Sequence, residues 1–218
     1  VFLFPAQGGV DAFLKQAKTA GVEQIVVLSS LAAAMEYERD KTSVSALHHL
    51  AIEKAVMASG IPYTFLRPGS FANNLLFWAY SIQTGATVYE PYANSVQAPI
   101  HEADIAAVAV VALTQDGHQG KTYPLTGPQA LTRLEQLNCI GTAIGKQLHF
   151  QEIPVDAFQK EMEKYMPLPV IKMLLDYWSD TVTVPDVVLP TVEQLTSHKA
   201  RTLAQWAKDH ASDFSPFV

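Results

Sequence analysis

Short continuous apolar runs alternate along the first part of the chain with stretches in which apolar residues return every three to four positions. Val1-Phe2-Leu3-Phe4 is of the first kind and reads as a strand buried on both faces. Pro5-Ala6-Gln7-Gly8-Gly9 breaks it, and Val10, Phe13, Leu14 and Ala17 then recur at helical spacing until Gly21. Residues 24–30 are a second buried strand of the same type. Strand, helix and strand with short connections make a βαβ unit, from which a parallel sheet follows.

Residues 36–43 read as a charged loop, 44–59 as a helix stopped by Gly60, and 62–67 as a third strand closed by Pro68-Gly69. Ala72, Leu75, Leu76 and Ala79 mark the stripe of a further helix, and 87–89 and 96–100 look like short strands. Asp104 falls in the first turn of a helix running to about Thr114, whose apolar residues on nearly every side predict burial on both faces. Residues 121–125 are another strand candidate, and Thr132 with Glu135 forms a capping box that opens a helix through Ile144.

After residue 154 the pattern becomes helical. Phe158, Met162 and Tyr165 predict one amphipathic helix, Pro167 and Pro169 break it, and Ile171, Leu174, Leu175 and Trp178 predict another. A proline-containing stretch, 181–195, connects to a last helix in which Thr202 caps Leu203, Trp206, Ala207 and His210. The expected fold is α/β, a parallel sheet flanked by helices with Leu3, Val26, Val27 and Phe65 inside it, and a smaller, mostly helical C-terminal lobe over 155–218.

Of 218 residues, 49% are hydrophobic and 17% charged, which supplies a core and excludes intrinsic disorder. With 15 basic and 21 acidic residues the net charge is −6, so no clustered basic face is available for nucleic acid or an anionic membrane surface. No apolar run reaches the ~18 residues of a spanning helix, and no basic segment followed by an apolar one marks a secretory signal; a cytoplasmic location is the expectation. The single cysteine, Cys139, lies in a helical pattern with Leu137 and Ile140 and reads as a small buried hydrophobe. What remains is chemistry on a small molecule.

The segments 25–30, His49-Leu50-Ala51-Ile52-Glu53-Lys54, Ala58-Ser59-Gly60-Ile61-Pro62-Tyr63-Thr64-Phe65-Leu66-Arg67-Pro68-Gly69, His101-Glu102-Ala103-Asp104-Ile105-Ala106 and Tyr123-Pro124-Leu125-Thr126-Gly127-Pro128 occur in that order. Together with Leu131-Thr132 they resemble the NmrA-like group of atypical short-chain dehydrogenases, which includes NAD(P)H:quinone oxidoreductases. Residues 201–207 are similar to that family's last helix. The resemblance implies a Rossmann-like NAD(P)-binding-type domain over 1–154 and a substrate-covering lobe over 155–218.

The chain departs from the family in two places. A dinucleotide fold carries a Gly-rich turn after its first strand, where glycines let the backbone approach the pyrophosphate. No such turn is present: Gly8-Gly9 is a helix entry and Gly117 to Gly120 a loop. Aligned to the family, 1–4 is the fourth strand, so the domain reads as N-terminally incomplete, or its sheet is completed by a second copy or a partner chain. NAD(P)H is then the cofactor of the complete protein, bound weakly or not at all by this chain alone.

The second departure lies in the catalytic helix. Short-chain dehydrogenases generally place a Tyr one turn before a Lys, so that both face the nicotinamide ribose. The corresponding positions hold Ser45 and His49. A His there is similar to the quinone-reductase branch, in which hydride passes to quinone without a dedicated phenol. His49 therefore reads as catalytic, binding a ribose hydroxyl or donating a proton. Ser45, His49 and Glu53 also share one helical stripe, and the bland alternative is a histidine paired with Glu53. His48 and His49 point apart, and no metal site is expected.

Ser29 and Ser30 stand at the carboxyl end of a strand, where cofactor or substrate binds in open α/β sheets. No Gly-x-Ser-x-Gly elbow surrounds them, so neither reads as a nucleophile. The resemblance implies that Pro5, Ala6 and Gln7, and Pro68, Gly69, Ser70 and Phe71, touch the nicotinamide end of the cofactor. Asn73, Asn74 and Trp78 follow and either face substrate or serve as caps and core. Asp104 reads as a carboxylate favoured by a helix N-terminus. The activity implied is NAD(P)H-dependent reduction of a quinone or similar carbonyl compound. The alternatives are a non-enzymatic dinucleotide-sensing or protein-binding regulator, and a chain that no longer holds a cofactor.

Overall fold

The computed structural model describes residues 1–6 and 8–215. Contacts within it divide the chain into two interleaved units: Val1–Gly69, Ala103–Leu125 and Leu189–Lys199 form the first, while Ser70–Glu102, Thr126–Val188 and the chain from Ala200 onward form the second.

The first unit holds a four-stranded sheet. Its strands are β1 (Phe2–Leu3), β2 (Ile25–Leu28), β3 (Tyr63–Pro68) and β6 (Lys121–Leu125), ordered β1-β2-β3-β6 and parallel throughout. Helices α1 (Val10–Thr19) and α3 (Val44–Ser59) link the first three strands, as the apolar periodicity predicts. Alternation along a strand sends every second side chain to one face. Ile25 and Val27 are in register with Tyr63 and Phe65, and these line a core with Leu14 and Ala17 of α1 and Ile52 and Val56 of α3. Burying each large side chain contributes about 1.5–3 kcal/mol.

Several expectations are corrected. The run 1–4 is not buried on both faces: β1 has one neighbour, Phe2 is 40% and Phe4 68% exposed, and Leu3 is only half-buried. The charged segment 36–43 is not a loop but contains α2 (Glu38–Thr42), whose start is closed by the Asp40 carboxylate accepting from the Tyr37 N–H. Helix α5 (Glu102–Thr114) buries one face through Ile105, Val108, Ala109 and Ala112, while Val110 is 56% exposed. High apolar content along a helix does not report which face is covered. Residues 181–195 are not simply a connection, since they include the end of α8 (Leu168–Thr183) and α9 (Thr191–Thr196).

In the second unit, Ala72–Trp78 is a 3₁₀ helix before α4 (Ala79–Gly85), where one α-helix was expected. The buried residues Ala72, Leu75 and Trp78 recur every third position, the spacing that a 3₁₀ helix aligns on one side. The capping box is present: Thr132 accepts from the Glu135 N–H at the start of α6 (Arg133–Ile144), and Glu135 accepts from the Thr132 N–H. Strand β4 (Thr87–Glu90) pairs in parallel with β8 (His149–Glu152), and β5 (Val96–Gln97) pairs antiparallel with β7 (Leu131–Thr132). α7 (Val155–Met162) packs with α8 through Phe158, Ile171, Leu175 and Trp178. The last helix, α10 (Leu203–Asp209), is capped by Thr202 as expected and buries Leu203, Trp206 and Ala207 against α6. Cys139 is half-buried rather than buried. It lines a surface depression of about 320 Å³ with Glu135, Asn138 and Thr142, and Ala204 and Lys208 of α10.

Gly127 shows how tightly the β5 end is packed. A Cβ built there would lie 2.0 Å from the Pro99 carbonyl oxygen, on backbone that cannot rotate away. Gly127→Ala is expected to cost about 1–3 kcal/mol or more, read as a lower urea midpoint at unchanged slope.

Candidate functional site

A parallel sheet brings the carboxyl ends of its strands to one edge, and that edge is where open α/β folds bind ligands. Pro5 and Ala6 follow β1, Ser29 and Ser30 follow β2, and Gly69 follows β3 directly. Six of the predicted positions, with Pro68 as the last residue of β3, thus fall along this edge of the first unit. Gln7 lies outside the described residues. Gly8 and Gly9 turn the chain into α1 with φ of 77° and 78°, and Gly9 brings no side-chain cap to that helix.

The serine hydroxyls are committed. Ser30 Oγ accepts from the Ala32 N–H, capping the 3₁₀ turn Leu31–Ala34. Ser29 Oγ donates to Glu53 Oε1 at 2.6 Å. The Ser29 N–H and the Ser30 carbonyl are also taken, by the Leu66 carbonyl and the Ala33 N–H, so what these two residues can offer a ligand is the Ser29 carbonyl, the Ser30 N–H and the Ser30 hydroxyl proton.

Glu53 is the residue that sequence reading left as a mere neighbour of His49. It is 1% exposed, and its carboxylate does not hold the imidazole: it accepts from Ser29, from Arg67 Nε at 2.9 Å and from Arg67 Nη2 at 2.6 Å. The alternative reading, a His49–Glu53 pair, is therefore not realised; in its place is a clamp between α3 and the ends of β2 and β3. A bidentate guanidinium satisfies the geometry of a buried carboxylate far better than an imidazole one turn away. The Glu53 hydrogen bond holds the Arg67 guanidinium above its usual pKa. An acidic residue on a helix stripe otherwise formed by Ile52 and Val56 was the available signal, because such a group is buried only with a partner.

α3 leads from the β2 end back to the start of β3, so its first turns lie beyond the carboxyl edge of the sheet. Glu53 is level with the strand ends through Ser29 and Arg67, and His49, one turn earlier on the same face, stands about 6 Å further out on the ligand side. Its Nδ1 is buried and has no hydrogen-bond partner among the described residues. Burial pulls the imidazole pKa below its ordinary value, the neighbouring His48 adds to this, and Glu53 opposes it. His49 is thus neutral at pH 7.

In the second unit, Ser70 Oγ is likewise buried without a partner, while the Ser70 carbonyl accepts from the Ile100 N–H and Phe71 bridges to Ile100. Asn73 Oδ1 accepts from Trp206 Nε1 at 2.8 Å, and Trp78 Nε1 donates to Glu90 Oε2 at 2.8 Å. Both side chains are engaged in holding that unit together; Asn74 is exposed. Asp104 is fully buried in the first turn of α5. Among the described residues, no group of three or more His, Cys, Asp and Glu side chains is arranged to hold a metal ion, and no helix is long and apolar enough to cross a membrane.

A family model described as NAD(P)H-binding matches residues 5–116. The chain belongs to this NAD(P)H-binding family. It is 36% identical over 213 residues to a (4-alkanoyl-5-oxo-2,5-dihydrofuran-3-yl)methyl phosphate reductase of Streptomyces griseus, a match covering 97% of this chain and 74% of that protein. It is 35% identical over 209 residues to the NAD(P)H azoreductase of Xenophilus azovorans, covering 93% of this chain and 70% of the relative. Among solved structures, an NADPH-dependent quinone oxidoreductase of Escherichia coli complexed with NADPH superimposes with a TM-score of 0.78 at 26% identity, covering 95% of this chain and 75% of that one. The quinone-reductase resemblance of the sequence motifs and the Rossmann-like parallel sheet agree with these relatives.

The fold implies NAD(P)H, and one atom near the sheet edge is available to a bound group. The partnerless Nδ1 of His49 is a buried polar atom on the ligand side of the sheet, and such atoms are normally satisfied.

Proposed function

We propose that this family member is an NAD(P)H-dependent oxidoreductase that reduces a quinone or a similar conjugated carbonyl compound, with His49 in its site. The observation that carries the reading is the unsatisfied imidazole nitrogen of His49 beyond the carboxyl edge of the sheet. When bound, NAD(P)H supplies a hydride. The backbone at Pro5, Ala6, Ser29, Ser30 and Gly69 would hold its nicotinamide end, and His49 would hydrogen-bond to a ribose hydroxyl or to the acceptor. The substrates named for the relatives support an electron-poor, conjugated acceptor as the class.

Because burial lowers its pKa, His49 serves this role as a neutral imidazole, which donates one hydrogen bond and accepts another. Activity that needs the neutral ring is expected to be level from pH 7 upward and to fall as pH drops through a value below 6.5. An imidazolium acting as general acid would give the opposite slope.

The test is NADPH oxidation at 340 nm with a soluble quinone. His49→Ala is expected to lower kcat about tenfold, the worth of one hydrogen bond, while His49→Asn keeps a donor and most of the activity. Loss of about 100-fold in both variants would instead assign proton transfer to His49. Saturable NADPH binding without turnover of quinone, azo or enone acceptors would overturn the enzyme reading in favour of a dinucleotide-sensing regulator.

A further inference from the structure

We propose that Glu53 is a positioning residue for this reaction, acting through His49: clamped by Ser29 and Arg67, it fixes the rotation of α3 and with it the direction in which the imidazole faces. The inference rests on the reading of His49 given above and goes beyond it by assigning work to a group that touches no ligand.

The argument is geometric. An α-helix packed on a sheet by apolar contacts alone can roll, because dispersion and burial are non-directional. α3 packs through Ala46, Ile52 and Val56, small or smooth side chains that set its distance from the sheet but not its azimuth. Glu53 supplies direction. Its two oxygens receive three donors from the ends of two different strands, at 2.6, 2.6 and 2.9 Å, and Arg67 reaches both oxygens with two different nitrogens. A helix roll of about 20° moves a side-chain tip on its rim by roughly 2 Å, given a helix of ~10–12 Å diameter, which is enough to break a bidentate pair. His49 lies one turn away on the same face, so the same roll would displace its imidazole by a like amount, and displacements of ~1 Å can cost ~100-fold in rate.

The carboxylate also bears on charge. Glu53 draws a proton toward His49, opposing the burial and the neighbouring His48 that hold the imidazole below its ordinary pKa. Removing the carboxylate's charge therefore lowers the imidazole pKa further.

A double-mutant cycle separates the cases. Glu53→Ala, His49→Ala and the double variant are compared in quinone-dependent NADPH oxidation, with activity normalised to folded protein at low temperature. If Glu53 acts through His49, Glu53→Ala lowers kcat by about tenfold, KM for NADPH changes by less than threefold, and the double variant is no slower than His49→Ala. Glu53→Gln keeps one acceptor oxygen, enough for Ser29 and Arg67 Nε, but turns an amide NH2 toward Arg67 Nη2, so it restores only part of kcat, while the pH below which activity falls moves further down. Ser29→Ala removes one of three bonds and keeps the fold if the alanine at 53 does not; it should cost about threefold in kcat in the same non-additive way. Independent, multiplicative losses in the double variant, or full kcat per folded molecule in Glu53→Ala, would overturn the inference and leave the clamp as a stabilising contact. His49→Ala at wild-type rate would overturn the site reading itself, a result visible in that single variant alone.

Discussion

Arg133→Ala is expected to destabilise the second unit by about 3–5 kcal/mol, the usual cost of removing one member of a buried ion pair. The Arg133 guanidinium is buried at the start of α6, pairs with Glu90 at the end of β4, lies 3.8 Å over the Trp178 ring and 5.3 Å from that of Trp78. Truncation leaves the Glu90 carboxylate with the Trp78 indole N–H and without its cation. It also opens a space between two tryptophans. Arg133→Met refills that space and should recover part of the loss, and the Arg133→Met/Glu90→Gln pair should recover most of it, since no unpaired charge remains. Urea titration followed by tryptophan fluorescence measures all three, because Trp78 and Trp178 flank the substitution.

Phe65→Ala is expected to cost about 3–5 kcal/mol in the first unit. Phe65 is in register with Val27 on one side and Thr122 on the other, stacks on Tyr63 with ring centroids 4.4 Å apart, and belongs to the core closed by α1 and α3. A central strand cannot collapse into the gap without breaking two ladders. Ile25→Val, one methylene in the same core, should cost about 0.5–1.5 kcal/mol. Equal effects for the two would mean that this core is loosely packed.

The strands and helices most legible in the sequence were those whose pattern is set by local chemistry. α3 ends where Gly60 takes φ 74°, α6 begins at its capping box, and β2 is buried along its whole length, all as the residues suggest. The failures are of two kinds. Burial of β1 and of both faces of α5 was misjudged because apolar character says a side chain can be buried, while neighbours decide whether it is. β8 escaped because His149-Phe150-Gln151-Glu152 is polar and largely exposed, so its pairing with β4 leaves no hydrophobic signature. At the candidate site, sequence order alone put forward the strand-end loops and His49. The clamp on Glu53 was not legible, because its donors come from residues 24 positions before it and 14 after it, and only the folded sheet brings them together.

The interleaving of the two units bears on how the chain is made. The first unit needs Leu189–Lys199, where α9 packs on β6, and the second needs the residues from Ala200 onward. Neither is a continuous stretch that could be finished while the rest is still on the ribosome. Multidomain chains ordinarily complete their domains one after another as they emerge, which shelters each from the next. Here β2 and β3 gain their last sheet partner only once β6 has been made at Leu125, and the unit then waits for Leu189–Lys199 before it is complete. At the ~5–20 residues per second of synthesis the interval from β3 to Lys199 is roughly 7–30 s, long enough for a holdase chaperone to engage the nascent strands.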